Sequence, residues 1–95
     1  MPFKGNYALI GHAGDDMKNN QCKAARALLG WSQPDLARES KAALRTIKNF
    51  ESGKVEPQKL TLLALIGAFE RHGLVMLKTG GVDYSVNADE GSTGQ

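Results

Sequence analysis

Cysteine is almost absent from this 95-residue chain, and the single Cys22 excludes an internal disulfide framework and a cysteine-based zinc cage. Long apolar runs are absent too, since no stretch approaches the ~18 residues of a membrane-spanning helix. His12 and His72 stand apart in the chain and form no metal-binding pattern. No nucleophile–base pair or phosphate-binding loop is found. We therefore expect no enzyme activity, no metal, no cofactor and no membrane contact.

The first eleven residues, MPFKGNYALIG, contain no long apolar segment. We therefore expect no secretory signal, and the scarcity of cysteine agrees with a reducing, cytoplasmic location. A length of 95 residues suits one small domain with one core.

Positive charge is concentrated in the middle of the chain. Residues 18–59 carry nine Lys or Arg against four Asp or Glu, a net charge of +5, whereas residues 1–17 and 60–95 are mildly acidic. A basic segment between acidic ends indicates a surface that faces a polyanion. A solvated helical surface with a lysine bias gives the same balance, so charge alone leaves nucleic-acid binding open.

Helical patterns fill the basic segment and the residues that follow it. Alanine and leucine at helical spacing predict a helix over residues 20–29, ended by Gly30. Further helices are predicted over residues 33–40, 44–52 and 58–71. The last of these is apolar almost all round, so it must be covered on more than one side.

The clearest helix start lies at Ser32. Serine is a good N-cap, and Asp35 three residues later completes a capping-box pattern. Trp31 before the cap and Leu36 at the fourth helical position have the spacing of a hydrophobic staple. Pro34 fits the first turn, where its missing N–H has no intrahelical partner.

The spacing of apolar residues changes from a helical to a strand pattern after residue 73. Residues 74–78 form a short apolar run, a Thr-Gly-Gly turn signal follows, and apolar and polar residues then alternate over 82–86. This pattern predicts a β-hairpin over residues 74–86.

The predicted fold class is mainly α, with a compact domain of four to five helices over residues 18–73 and a short C-terminal hairpin. We expect a flexible arm over residues 1–17, because its three glycines and weak periodicity give no partner strand. The small, polar tail over residues 87–95 is expected to be disordered.

Two consecutive short helices carry a set of residues in one register, without a gap: Ser32, Gln33, Leu36, Ala37, Thr46, Ile47, Phe50, Glu51 and Gly53. The pattern continues in Pro57, Thr61, Leu62 and Leu65. This spacing resembles the helix-turn-helix of the Cro/phage-repressor (XRE-type) transcriptional regulators, over roughly residues 20–73. The resemblance implies a sequence-specific regulator that binds double-stranded operator DNA. Its second helix, 33–40, would lie across the phosphate backbone, and its recognition helix, 44–52, would enter the major groove.

The chemistry of the third helix agrees with this resemblance. Arg45 can bond both acceptors of guanine, Asn49 can pair with adenine, and Leu44 can meet a thymine methyl group. The resemblance places base-reading residues at Ala43, Leu44, Arg45 and Asn49. It places a phosphate contact at Gln33, and further phosphate contacts are expected at Arg38, Thr46, Lys48 and Lys54.

Three residues depart from the family pattern. Lys41 stands where the turn between the two helices usually has glycine, and a left-handed non-glycine residue costs ~1–2 kcal/mol. Ala43 stands at the N-cap of the third helix, where losing a serine or threonine cap costs ~0.5–2 kcal/mol. Leu44 is an unusual apolar residue at a reading position. These departures all lie at the turn before the third helix and at its leading end.

Regulators of this kind usually pair, because one recognition helix covers only half of an operator. The apolar fourth helix and the strand after it predict a homodimer interface formed by Leu62, Leu65, Ile66, Phe69, Leu74 and Met76. In the alternative arrangement the hairpin folds back on its own fourth helix and the chain stays monomeric.

Two other functions remain open on the sequence. The chain could be the antitoxin of a toxin–antitoxin pair, which binds both an operator and a protein partner. It could also be a protein-interaction module that has lost DNA binding and uses Leu44 and its basic face on a partner. Salt-dependent retention on DNA would argue against the last of these.

Overall fold

The chain folds as helices followed by a β-hairpin, and the computed structural model describes residues 16–85. The helices are α1 (Asn19–Leu29), α2 (Gln33–Ser40), α3 (Leu44–Glu51) and α4 (Lys59–Arg71), and the strands are β1 (Leu74–Met76) and β2 (Val82–Tyr84). The predicted mainly α fold with a C-terminal hairpin is confirmed. The expected arm before Asp16 and the expected tail over 87–95 lie outside the described residues.

The start of α2 has the predicted capping box. The Asp35 amide donates to Ser32 Oγ at 3.1 Å, and the Ser32 amide donates to Asp35 Oδ2 at 2.9 Å. The hydrogen bond from the Ser32 amide, together with the Arg38 guanidinium, holds the pKa of the Asp35 carboxyl below its usual value. The Trp31 ring stacks on Phe69 at 5.8 Å between ring centroids. The start of α2 is therefore tied to the end of α4.

The turn between α2 and α3 has both of the weak points expected from the sequence. Lys41 is left-handed, with φ of 67° and ψ of 12°. Ala43, the N-cap of α3, makes no side-chain capping bond. Ser40 supports the turn by accepting a hydrogen bond from the Ala42 amide at 3.1 Å. A single hydroxyl thus stabilises a turn that neither glycine nor a cap stabilises.

The core lies between the helices and the hairpin. Its largest fully buried side chains are Phe50, Phe69, Leu36, Ile47, Leu65, Ile66, Leu74, Met76 and Cys22. Met17, which the sequence assigns to the arm, is also buried in this core. Within residues 16–85, none of the helices combines the length and apolarity needed to cross a bilayer.

The six side chains predicted to pair two copies are covered by their own chain. None of them is more than 8% exposed; they are Leu62, Leu65, Ile66, Phe69, Leu74 and Met76. Helix α4 is covered on more than one side within its own chain, because α2 packs against it on one side and β1 on another. These residues therefore form core and are no free docking surface.

The hairpin is shorter than predicted and is fastened to α1. Its strands are antiparallel, with Leu74 opposite Tyr84 and Met76 opposite Val82. The buried Gln21 side chain of α1 donates from Nε2 to the carbonyls of Leu77 and Gly81, each at 2.8 Å. The same two carbonyls also accept backbone hydrogen bonds within the hairpin turn, from the Gly80 amide at 3.0 Å and the Leu77 amide at 2.9 Å. Gln21 therefore fastens this turn to α1.

Replacing Lys41 with glycine is expected to raise the free energy of unfolding by about 1 kcal/mol. Glycine adopts a φ of 67° without the Cβ contact that penalises a left-handed L-residue. Urea denaturation measures the change. Lys41→Ala is the matched control, because it removes the same ammonium group but keeps Cβ, and it should change stability by less than about 0.5 kcal/mol. An equal gain in both variants would assign the strain to the lysine side chain instead of the backbone.

Candidate nucleic-acid interface

Helix α3 divides cleanly into a buried face and an open face. Ile47, Phe50 and Glu51 are at most 3% exposed. Arg45 and Lys48 are exposed on the opposite side. A helix of eight residues is too short to be stable alone, so its buried face must hold it on the domain. Its open face is free to contact a ligand.

Four of the predicted contact residues come together on this open face. A shallow depression of about 360 Å³ is lined by Leu44, Arg45, Lys48 and Asn49. Leu44 and Lys48 form one row along the helix, and Arg45 and Asn49 form the next, because residues four apart lie on the same side. Three of these side chains carry hydrogen-bond donors, two of them charged. The depression can therefore bond to acceptors on a base edge or to a phosphate.

The remaining predicted contacts lie around α3. Ala43 is exposed immediately before the helix, and Lys54 is exposed in the loop after it. The Lys54 amide donates to the Asn49 carbonyl at 3.1 Å, which fixes the start of this loop against the end of α3. Thr46 is half-buried and faces a second groove of about 330 Å³, which it shares with Asn49 and Val55. The predicted residues thus follow the exposed side of α3 from its first turn into the next loop.

Gln33 and Arg38, the predicted phosphate contacts on α2, already have partners within the chain. Gln33 Nε2 donates to Glu51 Oε1 at 3.0 Å, and Arg38 donates to Asp35 Oδ1 at 2.8 Å. An amide nitrogen carries two N–H groups, and the bond to Glu51 uses one of them. Glu51 therefore fixes the direction in which the Gln33 amide points. The Arg38 pair is solvent-exposed, and such a pair contributes at most ~1 kcal/mol, so a phosphate can compete for the guanidinium.

Beneath the open face, Glu51 is the centre of a buried polar cluster. Arg26 of α1 donates to it twice, from Nε and from a terminal nitrogen, each at 2.7 Å. Another nitrogen of the same guanidinium donates to the Trp31 carbonyl at 3.0 Å. The sequence places Glu51 in the motif but does not identify Arg26 as its partner. This pair joins α1, the α1–α2 turn and α3, and it removes Arg26 from the basic surface.

Cys22 completes the cluster, since its Sγ lies 3.1 Å from Glu51 Oε2. Burial raises the pKa of the Cys22 thiol, and the hydrogen bond to Glu51 raises it further. The thiol is therefore a protonated donor to the carboxylate and lacks the thiolate character of a reactive cysteine. Within residues 16–85, His, Cys, Asp and Glu form no group of three that could hold a metal ion.

The hydrogen bonds to Glu51 together lower the pKa of its carboxyl by more than burial raises it. Burial by itself raises the pKa of the Glu51 carboxyl, but bonds from Arg26, Cys22 and Gln33 together hold that pKa below its usual value. The Arg26 pKa is raised in turn by the bond to Glu51. Both groups are therefore charged at neutral pH, and the cluster is an ion pair with two additional donors.

Replacing Glu51 with glutamine should lower the free energy of unfolding at neutral pH by roughly 3 kcal/mol, because Arg26 then loses its carboxylate in a largely buried setting. Since the pKa of Glu51 is lower in the folded than in the unfolded chain, its contribution is complete above the unfolded pKa and is lost as the pH falls through the folded pKa. The difference between wild type and Glu51→Gln should therefore shrink in acid.

Urea unfolding over a pH series from neutral to acid measures this difference. Glu56→Gln is the control, because it removes an exposed carboxylate from the loop after α3 and should change stability little at any pH. A destabilisation of Glu51→Gln that stays constant into acid would contradict the assignment of the carboxylate charge.

Comparisons with known proteins add no family to this picture, because no protein-family model and no curated protein matches the chain. The resemblance to Cro/phage-repressor regulators stays a prediction that depends on the spacing of the motif residues. What the interface can bind therefore follows from its own side chains.

Proposed function

We propose that this protein is a sequence-specific, double-stranded DNA-binding transcriptional regulator that reads an operator through α3. One observation carries the proposal: Leu44, Arg45, Lys48 and Asn49 share the open face of a short helix whose other face is buried in the core. A helix held in this way can enter the major groove without unfolding any part of the domain.

The side chains on this face suit the chemistry of base edges. Arg45 can donate two bonds to O6 and N7 of guanine, and Asn49 can pair with N6 and N7 of adenine. They lie four residues apart, about one helical turn, and so can contact neighbouring base pairs. Ala43 at the leading end is small enough to let the backbone approach the bases.

Phosphate contacts would hold the helix in its groove. Lys48 and Lys54 are exposed at one end of the interface, and Gln33 and Arg38 lie on α2, which packs directly against α3. Helix α2 would then lie across the sugar–phosphate backbone while α3 reads the bases. Thr46, in the second groove, can donate its hydroxyl to a phosphate on the far side of α3.

The regulator would act in the cytoplasm, by occupying its operator and blocking or recruiting polymerase. The described residues form one small domain whose cluster beneath α3 is fully engaged in internal bonds. Changes in its own concentration or a protein partner would then set operator occupancy.

The proposed regulator is a homodimer, because an operator with two half-sites needs two recognition helices. Two recognition helices must stand ~34–36 Å apart to read two half-sites on one face of the duplex. The six residues first assigned to pairing are buried, so pairing would use exposed apolar side chains, of which α4 offers Leu60 and Leu63. These two residues lie three apart and therefore share one side of the helix.

Arg45→Ala should weaken binding to the preferred duplex by ~1–3 kcal/mol and relax the preference at one base pair. Lys54→Ala should weaken binding to all sequences alike and reduce its dependence on salt, because it removes a phosphate contact. Selection of bound sites from random duplex DNA, followed by titration at several salt concentrations, measures both effects.

Lys78→Ala is the matched control, since it removes one exposed positive charge from the hairpin turn instead of from α3. Its affinity and site preference should equal those of wild type. If duplex DNA is not retained at low salt, the protein-interaction function is favoured. If Arg45→Ala keeps the wild-type preference, α3 is not the reading element.

Sedimentation of the full chain at tens of micromolar tests the dimer, with Leu60→Glu and Leu63→Glu as variants. A dimer in wild type that becomes a monomer in these variants supports pairing through α4. Truncation after Gly73 does not test pairing, because it removes the buried Leu74 and Met76 and with them part of the core. A monomeric wild-type chain on a two-fold operator would exclude the preformed dimer.

A further inference from the structure

Leu44 is an apolar side chain outside the buried core. It belongs neither to the buried core nor to the partly buried apolar side chains that pack against that core. It is half-buried at the first position of α3 and lines the same depression as Arg45 and Asn49. Packing in the core therefore does not explain a leucine at this position.

The neighbours of Leu44 make a protein-docking role a poor fit. Lys48 lies one turn along the same row, and Arg45 flanks it on the next row, so Leu44 is a single apolar group among donors. Protein interfaces have a contiguous apolar centre from which charged residues are depleted. A ligand that fits must place one apolar group beside hydrogen-bond acceptors.

The major groove offers that combination at one kind of base pair. The C5-methyl group of thymine is the apolar group that base edges present in the major groove. It lies beside the acceptors of thymine and of a neighbouring guanine. Leucine has no donor or acceptor, so it cannot distinguish bases in any other way.

We propose that Leu44 reads the C5-methyl group of a thymine adjacent to the guanine bound by Arg45. The ligand of the depression is then a duplex with a T·A pair next to a G·C pair, and Leu44 is the specificity-determining residue for that thymine. This inference rests on the proposed function, because it requires α3 to lie in the major groove. Neighbouring positions 44 and 45 match neighbouring base pairs, which are stacked ~3.4 Å apart.

The test uses the duplex that the full chain selects from random DNA, with each thymine replaced singly by uracil. Uracil keeps the hydrogen-bonding groups of thymine and lacks the methyl group, so only the apolar contact changes. In wild type, one replacement next to the Arg45-dependent guanine should weaken binding about fourfold, the effect of removing one buried methyl group. In Leu44→Ala, thymine and uracil duplexes should bind equally well.

Two further variants separate reading from folding. Leu44→Asn has a side chain of similar size without apolar character, and it should also lose the thymine–uracil difference while the thermal transition of the domain stays cooperative. Leu28→Ala removes an exposed leucine from α1, away from the depression, and should keep the fourfold difference.

The outcomes distinguish this inference from the function on which it rests. Sequence-specific binding with no sensitive thymine overturns the role of Leu44 and leaves the regulator intact. A sensitive thymine that stays sensitive in both Leu44 variants also overturns it, because another residue then reads the methyl group. Absence of any duplex binding overturns the proposed function and the inference together.

Discussion

The ion pair between Arg26 and Glu51 is the interaction on which the arrangement of the helices depends. It joins side chains 25 residues apart and connects α1 to the last residue of α3 through two bonds of 2.7 Å. Gln33 connects α2 to the same carboxylate by donating to it. The Trp31 carbonyl, which accepts a hydrogen bond from Arg26, connects the turn before α2 to the ion pair. A buried carboxylate with partners on two other helices is expensive to disturb, because each lost partner leaves a charged or polar group unsatisfied. The orientation of α3 is therefore set at its inner, C-terminal end.

On the other side of the domain, the hairpin covers part of helix α4. An all-round apolar helix such as α4 would expose one face if only α2 packed against it, and β1 covers that face. A hairpin of two three-residue strands is marginal by itself. The Gln21 amide, which also accepts from the Lys18 amide at 2.7 Å, fastens the hairpin turn to α1. One polar side chain thus fastens to α1 the hairpin that covers the apolar surface of α4.

Local features of this fold could be predicted from the sequence, and long-range partners could not. The capping box at Ser32 depends on residues within one turn, so spacing alone predicts it. The open face of α3 follows in the same way from helical periodicity. The left-handed Lys41 and the uncapped Ala43 are expected from the resemblance to the regulator family. The partner of Glu51 and the coverage of α4 depend on contacts across the fold, for which a single sequence gives no register. Gln33 shows the consequence at the interface, because spacing predicts its position and only the fold shows its bond to Glu51.

The two ends of α3 are held by different interactions. The residues that depart from the motif, Lys41, Ala43 and Leu44, all lie at its N-terminal end. The C-terminal end is fixed by buried Phe50 and by the donors around Glu51. The N-terminal end follows a left-handed Lys41 and an uncapped Ala43, and no core contact holds Leu44. Stability is therefore supplied away from the residues that would enter the groove. Leu44 lies outside the packed core, so the identity of the side chain at position 44 can be determined by what the helix contacts.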